Sequence, residues 1–383
     1  MARFAVRGER ITGTPFFFAL VRHYCARMLT VEVLAQRDLD PAASQVLDMH
    51  WLELAPRDHR RARLRIYTLA GEVVSLGRYH LAPVADAAAG VAVHRRRGGG
   101  RVVPLGPGFA ALSLTLPHRS ALVAEEPLAL RPEQALNRCT RALLGGLRAL
   151  GVDAFYPGRD RITVERRLLG VVSLETDAQG TAMFEAVVAL DGDWLSLPER
   201  LAKVDGEGRI AAAVLSADEV TTLAACGVTA TVEELTHCVA GSYAEQFGLE
   251  LTAGTAPPVP PDTVERAAVW IASRRLRPGL DRHAVAWGQL GVIEVHLAVD
   301  GDAIADVLLC GDFIADSPAI DQLELRLRGC ALTRAAIGSV VDAVYAEPRS
   351  FLLGVGPLQT TGAGRAATGA AATLIVDTIL RAA

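Results

Sequence analysis

Lysine is almost missing from this 383-residue chain: Lys203 is the only one, although Lys and Arg together number 39. Cationic work therefore falls to arginine, a planar, permanently charged fork and not a compact ammonium. Cysteine is sparse too. Cys25, Cys139, Cys226, Cys238, Cys310 and Cys330 form no CxxC pair and no ligand spacing for zinc or an iron–sulfur cluster, so they read as reduced thiols of a cytoplasmic protein. Long apolar runs are lacking as well. Pro15–Val21 is short and has no small-residue cleavage site, which argues against an export signal, and no stretch reaches the roughly 18–20 apolar residues of a membrane helix. A net charge of −4 gives no global reason to bind nucleic acid or an anionic membrane, so anion binding would have to be local. With 51% apolar residues over this length, the chain suits two domains that fold by hydrophobic burial.

Apolar spacing predicts a helix at Ser44–Ala55, then short strands at Arg63–Leu69, Glu72–Leu76, Gly90–Val93, Arg101–Val103 and Ala110–Leu116. A helix at Pro132–Leu150 opens on proline and closes at Gly151. Strand character returns from Ala154 to Leu190, with a hairpin turn at Asp177–Gly180. Helices follow at Pro198–Val204, Ala217–Cys226 and Thr231–Phe247. The cluster Pro257-Pro258-Val259-Pro260-Pro261 reads as a stiff linker. Beyond it come a helix at Thr263–Arg275, a hairpin of Val292–Val299 and Ala303–Leu309, and helices at Pro318–Leu327 and Thr333–Val344. The expected organisation is an N-terminal extension (1–40), a first domain (41–254), a linker (255–262), a small α+β domain (263–345) and a Gly/Ala-rich end (346–383) to which no chemistry is assigned.

The most informative stretch is His94-Arg95-Arg96-Arg97-Gly98-Gly99-Gly100-Arg101, lying between two predicted strands. Successive glycines let a backbone approach a ligand and aim its N–H groups at an anion, while guanidiniums hold carboxylate or phosphate by two bonds at once. It is neither a Walker loop nor a dinucleotide fingerprint, since no Gly-Lys-Ser/Thr and no helix follows. On physics alone, an anion site and a solvated basic turn are equally good readings. His80, close to the preceding Gly77-Arg78, reads as a partly exposed hydrogen-bonding histidine. His237 and Cys238 read as structural helix residues, and Trp270 and Trp287 as core or interdomain packing.

The loop resembles the Arg-Arg-x-Ser-Gly-Gly-Gly segment of lipoate-protein ligases, a family grouped with octanoyltransferases and biotin ligases. Val73–Arg78 resembles the family's strand ending in Gly-Arg beside the acyl pocket. Gly158-Arg159-Asp160-Arg161 and Leu168-Leu169-Gly170 are similar to its Gly-Arg-x-Asp and Lys-x-x-Gly segments. Gly291–Val299, Gly311-Asp312-Phe313 and Leu327-Arg328-Gly329 resemble its C-terminal accessory domain. The likeness spans about residues 41–345.

It implies an α+β fold with a mixed, mostly antiparallel sheet and packed helices, of the kind shared by class II aminoacyl-tRNA synthetases and biotin and lipoate ligases, plus a small α+β accessory domain. It implies ATP- and Mg2+-dependent activation of lipoate or octanoate to acyl-AMP, then transfer to a lysine of a lipoyl carrier domain. Arg78, Arg95, Arg97, Gly98, Gly99, Gly100 and Gly170 would bind substrate and adenylate, with Arg95 and Arg167 catalytic and no protein-bound metal. The chain departs from the pattern at several points. Arg167 stands where the family has lysine, His94 and Arg97 replace an arginine and a serine, Pro104-Leu105 replace a His-Asp pair, and Arg161 takes the aspartate's place with Asp160 adjacent. Two alternatives follow: a homologue that binds carrier or partner without adenylation, and a cysteine-dependent octanoyltransferase, for which no cysteine lies in Phe155–Gly170. Hinge motion of the accessory domain is a further expectation from the resemblance.

Overall fold

The computed structural model describes residues 29–83, 90–123, 130–205, 208–210, 212–213, 215–288, 291–347, 349–353 and 370–383. The Pro15–Val21 run and Cys25 lie outside them. Eight strands form the main sheet: β1 (Thr30–Leu39), β2 (Arg61–Leu69), β6 (Phe109–Leu116), β7 (Phe155–Gly158), β8 (Arg161–Val164), β9 (Arg167–Thr176), β10 (Ala182–Ala189) and β11 (Glu250–Ala253). Their order is β11-β1-β2-β6-β10-β9-β8-β7. Only β1 pairs in parallel, with β11 and β2, and the other neighbours are antiparallel. Residues 30–39, part of the lead for which an extra strand pair and an extension are the two readings from sequence, form an integral strand.

Each face of this sheet has its own chemistry, because successive side chains alternate. On one face Leu64, Ile66, Leu112, Leu114, Phe184, Ala186, Val172 and Leu174 join a single apolar core. Two helices cover it, α2 (Pro132–Ala149) and α4 (Val232–Phe247). Helix α2 turns Leu136, Cys139, Leu143 and Leu147 inward at helical spacing. Helix α4 begins in a Thr231/Glu234 capping box and ends at left-handed Gly248. The opposite face is polar. In register across it lie Arg65, Ser113, Glu185 and Ser173, and beside them Arg63, Thr115, Met183 and Glu175.

A small sheet, β3 (Glu72–Leu76), β4 (Val91–Arg95) and β5 (Val103–Leu105), covers one end of that polar face. It packs Val73, Val103 and Leu105 on Tyr67, Ala111, Val171 and Val187. Helix α1 (Pro41–Leu54) lies over the rest. It is capped by the Asp40 side chain on the Ala43 amide, and Gln45 exchanges two hydrogen bonds with the Arg95 backbone. Helix α3 (Leu197–Val204) closes the outer side of the small sheet. The helix predicted at Ala217–Cys226 is two isolated 3-10 turns, because Val220 bridges to Leu168 and the Thr221 amide donates to the Leu168 carbonyl, which holds the chain extended between them.

Helix α5 (Pro261–Ile271) follows the proline run but packs on α1, with Ala267 against Val46 and Met49. The remaining unit has three antiparallel strands, β12 (Arg282–Gly288), β13 (Gly291–Asp300) and β14 (Ala303–Gly311). Helices α6 (Ser317–Leu327), α7 (Arg334–Tyr345) and α8 (Ala370–Ala382) share its core. The C-terminal end is thus structural: Ile375, Val376 and Ile379 are buried against Val295, Leu297 and Ile337. Trp287, expected in a core, is 61% exposed on the edge strand β12.

Candidate functional site

The Arg-Gly loop runs from the end of β4 to β5 and sits where the polar sheet face, α5 and the accessory unit meet. Gly98, Gly99 and Gly100 are all buried, so the solvated-turn reading is overturned. Glycine is required sterically. A Cβ at Gly98 would fall 2.7 Å from Ser173 Oγ, one at Gly99 would fall 2.0 Å from the Phe313 carbonyl oxygen, and Gly100 has φ +99°. The loop amides already have acceptors. Arg97 N and Gly98 N donate to the two Glu185 carboxylate oxygens at 3.1 and 2.7 Å, and Gly100 N donates to Phe313 O at 3.0 Å.

The three loop arginines differ in role. Arg95 is wholly buried and donates to the carbonyls of Ile271, Arg78 and His80 at 3.1, 3.0 and 2.7 Å, with longer bonds to Gly77 and Leu81. Burial pulls its guanidinium down to about 9, which leaves it charged at neutral pH. Arg96 is buried on Ser75 and the Arg101 carbonyl. Arg97 instead lies over the Trp270 ring, 4.0 Å from its centroid, and its Nε has no hydrogen-bond partner. Arg78 lies over the same indole at 4.7 Å and reaches Glu175 at 3.6 Å. Glu175 also accepts from Ser317 of the accessory unit, and its second oxygen is unpartnered. Two guanidiniums thus share one indole, and Arg78 alone of the two also reaches a carboxylate, which leaves Arg97 Nε able to take an anionic acceptor.

Asp160 is buried and forms a two-bond pair with Arg101 at 2.7 and 2.8 Å. Burial alone would raise its carboxyl, but Arg101 outweighs this and holds it well below the ordinary carboxylate range. Arg161 is exposed, so of these two neighbours only Asp160 belongs to the buried cluster. Arg159, at φ +57°, reaches Asp312 at 2.8 Å and so ties this turn to the accessory unit. Tyr79 stacks on Phe313 with centroids 4.5 Å apart, and its hydroxyl donates to Ala315 O at 2.9 Å.

Other expected positions lie elsewhere. Arg167 is 38% exposed and pairs with Glu165 across the β8–β9 turn. Gly170 is packed on Val187 and Val188 inside the sheet, where a Cβ would meet the Val187 carbonyl at 2.6 Å. His80, predicted to be partly exposed, is fully buried near Gly100 O at 3.3 Å, and burial with Arg95 and Arg96 lowers it to about 3. Burial pushes the Cys139 thiol up to about 12, leaving no thiolate at neutral pH. Glu175, Glu185 and Trp270 were not singled out as ligand-facing residues. No local signal marks the two glutamates, since the cover on their face of the sheet comes from segments distant in sequence.

A groove of about 600 Å3 opens beside Arg97 and Trp270, between α1 and α5, with Met49, Leu52 and Glu53 on one wall. A second cavity of about 520 Å3 is lined by Leu81, Val93, Ile271 and Leu276 together with Arg209 and Arg275.

Because Arg95 bonds so many carbonyls, its removal should be a stability lesion first. Each buried acceptor left without a donor costs about 1–3 kcal/mol. Arg95→Ala is therefore expected to lower the midpoint of thermal unfolding by several degrees, at roughly 2–4 °C per kcal/mol. An unchanged midpoint with weakened ligand binding would reverse this assignment.

This sheet, its covered polar face and the glycine loop form the fold of lipoate-protein ligases. Residues 283–349 match the family described as bacterial lipoate protein ligase C-terminus, so the chain combines a lipoate-protein ligase fold with that family's C-terminal domain. P. falciparum LipL1, solved in complex with lipoate, is similar over 82% of this chain and 94% of its own, at 12% identity and a TM-score of 0.61. The bipartite lipoate protein ligase of Thermoplasma acidophilum, described with its E2 lipoyl domain, covers 64% of this chain and 93% of its own at 14% identity and TM-score 0.47. Biotin protein ligase of Leishmania major with biotinyl-5-AMP covers 75% and 99% at 12% identity and TM-score 0.31. No curated protein matches the chain by sequence.

Proposed function

We propose that the protein is an ATP-dependent acyl ligase that activates the carboxylate of lipoate or octanoate as acyl-AMP, releasing pyrophosphate, and passes the acyl group to a lysine of a lipoyl carrier domain. The observation that carries this reading is the Arg78–Trp270–Arg97 group beside Glu175. It places two guanidiniums on one indole, one of them with an unpartnered Nε, at the edge of a buried triglycine loop. A carboxylate or phosphate would supply the missing acceptor, and donors fixed before the reaction stabilise charge developing at the acyl centre. Mg2+ would be carried in on the ATP phosphates, because it keeps most of its waters and binds chiefly through phosphate oxygens. The buried, polar surroundings of the loop would keep water from the mixed anhydride.

A second reading rests on specific observations too. The Arg95 donors are taken up by carbonyls, Arg167 faces away in a turn, and Glu185 holds two of the loop amides. Under it, the protein binds an acyl chain or a carrier without forming an adenylate. Lipoate-dependent ATP–pyrophosphate exchange, together with a mass increase on an apo carrier, decides between them.

The proposal makes two residue predictions for that assay. Arg97→Ala should weaken lipoate binding by about 10–100-fold, the value of one lost charge-assisted hydrogen bond. Arg167→Lys should change the exchange rate by no more than about twofold, because Arg167 is a partly exposed turn residue whose partner is the surface carboxylate of Glu165 and not the loop. A large gain from Arg167→Lys would restore that position to the chemistry, and an unaltered affinity in Arg97→Ala would remove the anion site from this place.

A further inference from the structure

The loop that would hold a ligand's anion already holds one belonging to the chain. Glu185, on β10, projects from the polar sheet face into the turn of the loop. Its Oε1 accepts from Arg97 N at 3.1 Å and its Oε2 from Gly98 N at 2.7 Å, with Ser173 Oγ at 3.4 Å. Two consecutive amides converging on one carboxylate are the arrangement by which backbone nests bind carboxylate or phosphate. The sheet core does not require a carboxylate here: in the same strand Phe184 and Ala186 face the apolar side, while Glu185 is buried at 5% exposure on the polar one.

We propose that Glu185 is a built-in occupant of this anion site and sets its selectivity, so that an incoming carboxylate or phosphate reaches the amides of Arg97 and Gly98 only by displacing it. The proposal rests on the reading that the loop is where ligand binds, but it concerns the gate to that site and not the adenylation chemistry. Displacement is cheapest when Glu185 is protonated, because a neutral carboxyl holds amides more weakly and does not repel an anion. Burial, with Asp48 of α1 adding to it and the amides and Arg96 opposing it, raises Glu185 to about 7, so the neutral form is accessible near physiological pH. The other groups near it are Tyr67 of β2 and the Arg97 guanidinium, both of which feel its charge, and the Ser113 and Ser173 rows, with Arg65 neutralised by Asp48 at 2.8 Å. Among these, Glu185 is the group whose change of charge adds or removes the occupant itself.

The test uses the full-length protein and two probes, octanoate and inorganic pyrophosphate, titrated by calorimetry into wild type and Glu185→Gln at pH 6 and pH 8. The expected result is that Glu185→Gln binds at least one probe about tenfold or more tighter than wild type at pH 8, and that the gap narrows at pH 6, where wild type has lost the charge. A folded variant that binds both probes no better than wild type at pH 8 overturns the proposal. Should the variant fail to fold, the Gly98 amide resonance of wild type, followed at pH 6 during addition of octanoate or pyrophosphate, decides: it must move as its acceptor changes, and an unmoved resonance overturns the proposal. Lipoate-dependent exchange measured on the same proteins separates the two ideas. Its absence, with the tightening intact, removes the ligase reading and leaves this one standing.

Discussion

Asp160→Ala is expected to lower the unfolding free energy by about 3–5 kcal/mol, the usual consequence of leaving a buried charge without its partner. Arg101 has 4% of its side-chain surface exposed and its pair with Asp160 is made through two bonds, so no water can replace the lost carboxylate cheaply. The lesion should spread. Arg159 lies 3.7 Å from Asp160 and carries the link to Asp312, so the accessory unit should loosen with it. Urea unfolding followed by tryptophan fluorescence gives the midpoint shift, and a change below about 1 kcal/mol would show that Arg101 is not left as an uncompensated buried charge. The pH dependence has a definite sign. The folded-state carboxyl titrates below its unfolded value of about 3.9, so the stabilisation is complete above that value. It is lost as pH falls toward the folded-state titration, and Asp160→Ala should flatten the acid limb of the stability curve.

Much of the architecture is legible in the sequence because the principal elements declare themselves by period. The apolar spacing of α2, the strict bounds of β3 at Glu72 and Leu76, and the Asp300-Gly301-Asp302 turn joining β13 to β14 all follow local rules. Where prediction fails, tertiary contacts overrule local preference. The segment Ala217–Cys226 has helix-forming composition, yet Val220 and Thr221 are captured by Leu168. Strand β11, with all four residues exposed, carries no period to detect and exists because it pairs in parallel with β1. The site is legible in a different measure. Three adjacent glycines and three arginines mark the loop correctly as a special place, but they do not say which arginine is structural. That distinction depends on partners far away in sequence, such as the Ile271 carbonyl for Arg95 and Trp270 for Arg97. For the same reason Glu185 stayed unseen. A carboxylate inside a strand pattern reads as a solvent-facing position until a second layer is known to cover it.

Gly99→Ala is expected to be nearly as damaging as Gly99→Val, and this near-equality is what identifies the cause. The first carbon of any side chain at this position would lie 2.0 Å from Phe313 O and 3.0 Å from Ile314 Cα, both backbone atoms that no rotamer change can move. Either the loop or the Gly311-Asp312-Phe313 turn must shift by an ångström or more. That shift breaks the Gly100–Phe313 hydrogen bond and the Tyr79–Phe313 stack together, and it strains the Arg159–Asp312 link. If the proposed ligase reading holds, misplacement of the loop on this scale costs about 100-fold in rate, so lipoate-dependent exchange should fall by about that factor in both variants. Small-angle scattering should show a larger radius of gyration as the accessory unit lifts from the loop. Gly338→Ala in α7 is the matched control, since a Cβ there meets nothing within 4 Å. It should leave exchange unchanged and stabilise its helix by up to about 1 kcal/mol. If Gly99→Ala behaves like Gly338→Ala, the accessory unit is not seated on the loop in solution, and the contact that closes this site belongs to another state of the protein.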